Sequence, residues 1–245
     1  MKHLLWIVTT VTMACTSGEE AVRIELPVAT SATALAPTTT DLGYAVVVER
    51  MELAVTRIQF TIEGEMHVAS PPGTIFHPGH SAGGEVTGEL PGRFLLRWTG
   101  QAEPILGRAT LLVGDYRGAN FTLRATDDGD ALAADDPLRG HAIRITGTAT
   151  RDGATRSFDA VLDVEPDTAV IGAVFASSLS EATSGTLAFS FLPTDPEEGD
   201  SAFDGIDFFA LAPEDPIEIR PGSDAHNVLR RKVTTHDHYA VDLEP

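Results

Sequence analysis

The stretch HAIRITGTATRDGATRSFDAVLDV, residues 141–164, decides the fold class. Ile143, Ile145 and Ala149 alternate with Arg144, Thr146, Thr148 and Thr150, and Phe158, Ala160 and Leu162 alternate with Ser157, Asp159 and Asp163. A period of two puts each apolar set on one face of an extended strand. Between the two runs, Arg151-Asp152-Gly153 supplies residues that tolerate the positive φ of a tight turn. The unit reads as a β-hairpin with one buried face. Working outward, short β-branched and aromatic runs between turn signals recur at Tyr44 to Glu49, Glu52 to Ile62, Arg93 to Trp98, Arg108 to Val113, Asn120 to Ala125, Thr168 to Phe175 and Thr186 to Leu192. Val22 to Leu26 reads as a further strand. The one helical signal is Ser223 to Lys232, with Ser223 or Asp224 as cap, an apolar edge at Val228 and Leu229, and Arg230-Arg231-Lys232 at the C-terminal end of the dipole. The expected fold is all-β: an antiparallel β-sandwich with one short C-terminal helix.

Composition narrows the function. The 245 residues carry 36 acidic against 17 basic side chains, a formal charge of −19. Such a surface repels phosphate backbones, so no nucleic-acid partner is expected. Beyond the N-terminal segment no apolar run reaches membrane-spanning length, and that segment is itself too short to span. Cys15 is the only cysteine, so no disulfide forms within the chain.

Lys2 and His3, the apolar run from Leu4 to Met13 and the small Ala14 have the layout of a secretory signal. Thr12-Met13-Ala14-Cys15 resembles the lipobox of bacterial lipoproteins, with Thr12 where Leu is most common. The resemblance implies a diacylated Cys15 as first residue of the mature chain and a membrane reached through that lipid, in the bacterial cell envelope. An ordinary signal peptide cut at the same bond would leave a free thiol instead. The Ala/Thr/Ser/Pro stretch from Ala29 to Thr40 lacks periodicity and reads as a tether. The expected organisation is a signal peptide over 1–14, a lipidated N-terminus and flexible tether over 15–41, and a β-sandwich domain over 42–245.

Two motifs share one segment. Gly79-His80-Ser81-Ala82-Gly83 matches the Gly-x-Ser-x-Gly elbow of α/β-hydrolases, which needs a strand leading in and a helix leading out. Pro71, Pro72, Gly73 and Pro78 before it, and Gly84, Gly88, Pro91 and Gly92 after it, supply neither. In His77-Pro78-Gly79-His80, Pro and Gly hold the two central positions of a type II turn, which brings the flanking imidazoles together. Two histidines at that spacing can share one ion. His226 in the first turn of the helix is the candidate third ligand and His67 the fourth. Imidazole-only sites suit copper or zinc. His236 and His238 fall on one face of a strand as a solvated pair, and His141 reads as structural. The acidic Asp127-Asp128-Gly129-Asp130 lacks the alternating ligands and closing Glu of an EF-hand.

Leu112 to Leu123, LVGDYRGANFTL, resembles the Gly-x-Tyr then Phe-x-Leu strand pair of MbnP-like proteins, a group of bacterial periplasmic β-sandwich proteins associated with copper. Phe203-Asp204-Gly205-Ile206-Asp207-Phe208 is similar to a late segment of that group and of related uncharacterised lipoproteins. The resemblance implies a periplasmic copper-handling protein whose metal is held mainly by histidines. Some members carry an oxidatively modified tryptophan near the metal. Trp98 is the only tryptophan beyond the signal segment, with no alignment to that position, and the cysteines of many members are absent here.

The leading expectation is a lipid-anchored, non-enzymatic envelope protein that binds copper or zinc through His67, His77, His80 and His226. The alternative is an envelope scaffold or adhesion module that meets a protein or glycan partner without metal. A Ser81 hydrolase is the third.

Overall fold

A computed structural model describes residues 21–62, 86–211 and 214–245. The chain is all-β with one short C-terminal helix. Among the described residues the strands are β1 (Arg23–Thr30), β2 (Thr38–Thr39), β3 (Ala45–Ile62), β4 (Val86–Trp98), β5 (Gly107–Leu112), β6 (Gly114–Leu123), β7 (Ile143–Arg151), β8 (Ala154–Leu162), β9 (Ala169–Leu179), β10 (Thr186–Phe191), β11 (Ile217–Ile219) and β12 (Tyr239–Glu244). The helix is α1 (Asp224–Val233). The hairpin of residues 141–164 forms as its alternation predicts, pairing from Ile143 with Leu162 to Arg151 with Ala154. Asp152 and Gly153 turn it with φ of 54° and 78°, the two positive values a two-residue type I′ loop demands.

Strand pairing closes on itself. From β3 the hydrogen-bonded path runs through β4, β5, β1, β10, β12, β9 and β6, and β6 returns to β3. β3 is long enough to serve two neighbours along one edge. Its first half, Ala45 to Leu53, pairs with β7, and its second half, Val55 to Ile62, pairs with β6. The wing of β7, β8 and β11 thus leaves the ring where β6 joins it. The sheet is mixed and not antiparallel throughout, because β1 with β10, β9 with β12, and β8 with β11 run parallel.

Two extra residues in β3 keep its apolar side chains inward. Glu49 has no counterpart in β7, since Val48 pairs with Gly147 and Arg50 with Thr146. Arg57, with φ of 47°, has none in β6. Each bulge shifts the alternation by one. The buried set therefore reads Val46, Val48, then Met51, Leu53, Val55, then Ile58, Phe60. Gly147 is needed at the first bulge, where a Cβ would lie 2.2 Å from the Val47 carbonyl oxygen.

Rings from six strands fill the interior: Phe60 meets Phe175 and Phe189, Phe121 meets Tyr239, and Trp98 meets Phe191 and Tyr239. A second aromatic group, Tyr44, Phe158, Phe203 and Phe208, packs at the wing. The helix forms where its cap predicts, with the Ser223 hydroxyl accepting the His226 N–H at 3.1 Å and Leu229 and Val233 buried.

One boundary moves. The stretch before residue 42 is not a tether over its described part, because β1 lies between β5 and β10 with Leu26 and Val28 in the core. The small hydroxyl residues that looked like linker are used as hydrogen-bonding edge: Thr194 Oγ1 donates to Thr38 Oγ1 at 2.6 Å, and the Tyr44 N–H donates to Thr40 Oγ1 at 3.1 Å. Low apolar content marked these residues as linker. Burial of Thr30, Ser31, Thr38 and Thr40 shows them as part of the body.

Candidate functional site

Cys15, His67, His77, His80 and Ser81 lie outside the described residues. His226 is described. It is buried on α1, its Nε2 accepts the Asp163 N–H at 3.2 Å, and its Nδ1 lies 3.2 Å from Asn227 Oδ1. Its ring thus fastens α1 to the end of β8, and a metal on either nitrogen would displace one of those bonds. Among the described residues no group of three or more His, Cys, Asp or Glu is placed to hold a metal ion.

The C-terminal pair departs from expectation. His236 and His238 form a 3-10 turn that leads into β12, and both are buried. A turn of three residues does not put alternate side chains on one face. The His238 ring has its Nδ1 2.8 Å from the Leu192 carbonyl oxygen, and burial pushes its pKa below the ordinary imidazole value. His141 pairs with Asp163 at 2.6 Å. In the acidic loop each aspartate faces arginine: Asp130 meets Arg124 and Arg93, Asp127 meets Arg93, and Asp128 meets Arg139. The Arg124 hydrogen bond holds the Asp130 carboxyl down to about 2.

The stretches 112–123 and 203–208 do structural work. The Tyr116 hydroxyl donates to the Leu112 carbonyl at 2.8 Å, closing the corner between β5 and β6 in the manner of a tyrosine corner. In the later stretch Phe203, Ile206 and Phe208 enter the core. Asp204 accepts the N–H groups of Asp41 and Ser201, and Asp207 accepts the Tyr44 hydroxyl. Trp98 is buried and its indole N–H donates to the Phe189 carbonyl at 2.7 Å.

A different constellation lies on the other face of β3. Glu52 faces Arg97 across β4 and Arg144 across β7, because cross-strand partners share a face. Arg97 Nε donates to Glu52 Oε1 at 3.1 Å. Arg144 is held in turn by Asp159 of β8, at 3.3 Å from Nε and 3.0 Å from Nη2, and Arg220 Nη1 donates to the Asp159 carbonyl at 2.6 Å. A charge ladder therefore crosses the ring and its wing. Glu52 Oε2 is the gap in it: the side chain is 4% exposed, Arg50 and Arg144 Nη1 stand 3.8 and 3.9 Å away, and no hydrogen bond reaches the oxygen.

Over this ladder lie two adjoining clefts. One, of about 630 Å³, is lined by Glu49, Arg50, Thr99, Gln101, Glu103, Arg144 and Thr146. The other, of about 400 Å³, shares Glu103 and sets Arg93, Arg97 and Asp130 opposite an apolar wall of Phe94, Pro104, Ile105 and Leu106. β4 pairs with β5 only at Gly88 and Glu89, and the 99–106 segment that joins the two strands contributes residues to both clefts. The first bulge adds Glu49 to the wall. Nothing in the linear sequence marked these residues, since Arg50, Arg97 and Arg144 are ordinary outward positions until register sets them around Glu52. Comparison with protein-family models, with curated proteins and with solved structures finds no match for this chain.

Proposed function

We propose that this chain is a lipid-anchored binding module of a bacterial cell envelope, without enzymatic activity, that takes its ligand in the twin cleft over β4, β3 and β7. The observation that carries the reading is the cleft itself: arginine, glutamate and threonine side chains of β3 and β7 face the polar 99–103 segment, beside a subsite with one apolar wall. The Cys15 segment supports the address, because a lone cysteine stands directly behind an apolar run and a small residue. Two measurements test it. Cys15→Ser should move the protein from the membrane to the soluble fraction. Thr146→Trp, which fills the larger cleft, should reduce retention of the lipid-free protein on purified envelope polysaccharide and envelope protein fractions. Equal retention by both forms would refute the cleft.

A second reading rests on His77-Pro78-Gly79-His80, whose turn chemistry converges two imidazoles. It is a copper or zinc site with His67 as a further ligand and with His226 only if one of its two hydrogen bonds is given up. Neutral imidazoles are required, so affinity falls as pH drops through about 6.5. Metal content of the whole mature protein, compared with His80→Ala, tests it, and equal loading of the two would end it.

A further inference from the structure

Three features of the larger cleft bear on its ligand. The first is a complementary pair of unmet needs. Glu52 Oε2 is buried behind Arg50 and Arg144, which line the cleft, and lacks a donor, while the Arg50 side chain, 48% exposed, makes no hydrogen bond among the described residues and stands 3.8 Å from that oxygen. A buried carboxylate oxygen without a donor carries a desolvation penalty, and a group that supplies the donor recovers it. A hydroxyl does both jobs, since it donates to a carboxylate and accepts from a guanidinium. An ammonium offers only donors, and a carboxylate only acceptors.

The second feature is charge balance. Two arginines and two glutamates line the cleft with Thr99, Gln101 and Thr146, so the wall is neutral and rich in both donors and acceptors. An anion entering it meets Glu49 and Glu103, and a cation meets Arg50 and Arg144. Either leaves one sign of charge poorly matched, whereas an uncharged polar ligand leaves none. The third is the adjoining subsite, where Phe94, Pro104, Ile105 and Leu106 offer an apolar wall and Ile105 is 60% exposed. A sugar ring presents hydroxyls at its rim and C–H groups on its faces, which is the pairing of surfaces these two clefts provide.

We infer that the twin cleft binds a neutral, polyhydroxylated saccharide, with one hydroxyl set between Glu52 Oε2 and Arg50 and a neighbouring ring laid against Phe94 and Ile105. The inference rests on the reading of the cleft as the binding site and adds its ligand class. Glu52 itself lines neither cleft, so Arg50, which does, must turn aside to admit the hydroxyl, and its exposure on the rim leaves it room to do so.

The test is titration calorimetry on the full mature chain carrying Cys15→Ser, with maltopentaose, cellopentaose and chitopentaose as neutral probes and pentagalacturonate as the charged one, each at 50 and 500 mM NaCl. At least one neutral probe should bind with an affinity that salt does not change, since no net charge is neutralised. Glu52→Gln should weaken that binding at least tenfold, and Thr146→Trp, which removes no charged member of the ladder, should abolish it. Urea melts of both variants establish that they are folded. Failure of all three neutral probes overturns the inference, and so does neutral binding that survives Thr146→Trp. Salt-sensitive binding of pentagalacturonate alone, lost in Thr146→Trp, overturns the ligand class while leaving the cleft as the binding site.

Discussion

Val28→Asp separates a strand from a tether. Val28 is fully buried in β1, opposite Gly107 of β5 on one side and Leu187 of β10 on the other. Losing the buried valine costs about 2 kcal/mol. The aspartate put in its place sits among apolar neighbours, where burial raises a carboxyl pKa by about 3 units, and at 1.36 kcal/mol per unit that adds about 4 kcal/mol. The sum, about 6 kcal/mol, is a large part of the 5–15 kcal/mol that stabilises a typical domain. With a urea dependence of about 2 kcal/mol per molar, the midpoint should fall by about 3 M, or the protein should fail to fold. Ala32→Asp is the control, because Ala32 is exposed just beyond the strand and should leave the midpoint in place. Fluorescence of the buried Trp98 reports the transition. If Val28→Asp and Ala32→Asp both melt as the parent does, β1 is not in the sheet and the ring described above is wrong. A chain starting at residue 42 extends the same reasoning, since it leaves β5 and β10 without the strand between them and should show no cooperative transition.

Three further outcomes follow from particular side chains. Burial lowers the folded-state pKa of His238 below its unfolded value of about 6.5, so the neutral ring stabilises the fold above that pH and the contribution is lost as pH falls below it; urea midpoints from pH 8 to 5.5 should decline for the parent and decline less for His238→Asn, and parallel slopes would sink the account. Asp130 is held at about 2 by Arg124, a depression that contributes about 2–3 kcal/mol above the unfolded pKa of about 3.9 and is lost as pH falls through 2; Asp130→Asn should cost about 2–3 kcal/mol in urea melts at pH 7 and less than about 1 kcal/mol at pH 2. Tyr116→Phe leaves the Leu112 carbonyl without its side-chain donor and should lower stability by about 1–3 kcal/mol in thermal melts, and an unchanged melting temperature would remove the corner from the list of structural devices.

Local chemistry made the strands legible where one face is wet and one is dry. Ile143 to Leu162 is such a case, and so is the capped helix at Ser223. Pattern failed where burial comes from both faces or from register. β1 is legible only in part, because Val22 to Leu26 shows alternation whereas Ala29 to Thr40 hides its burial in small hydroxyl side chains. The spacing of His236 and His238 points to one face of a strand. Three-residue turns carry no periodicity, and burial of both rings depends on packing that no local rule contains. The histidine hypothesis used the residues that chemistry singles out by type. The cleft uses arginines and glutamates that are common on any acidic surface, and only strand register separates Arg50, Arg97 and Arg144 from the other arginines of the chain.

Departures from regular pairing shape both the ring and the cleft. If β3 ran without bulges, an alternation of two would carry Val46 and Phe60 to the same face only by placing Met51, Leu53 and Val55 on the opposite one. Inserting Glu49 and Arg57 restores the inward set in each segment, which lets one strand pass from β7 to β6 without losing its core face. The extra residue at the first bulge also places Glu49 in the wall of the larger cleft, beside Arg50. On the other edge, β4 leaves β5 after two paired positions, and the 99–106 segment that bridges the gap becomes the outer wall of both clefts. Changing register at either place should alter binding and stability together, whereas changes confined to Thr146 or Gln101 should alter binding alone.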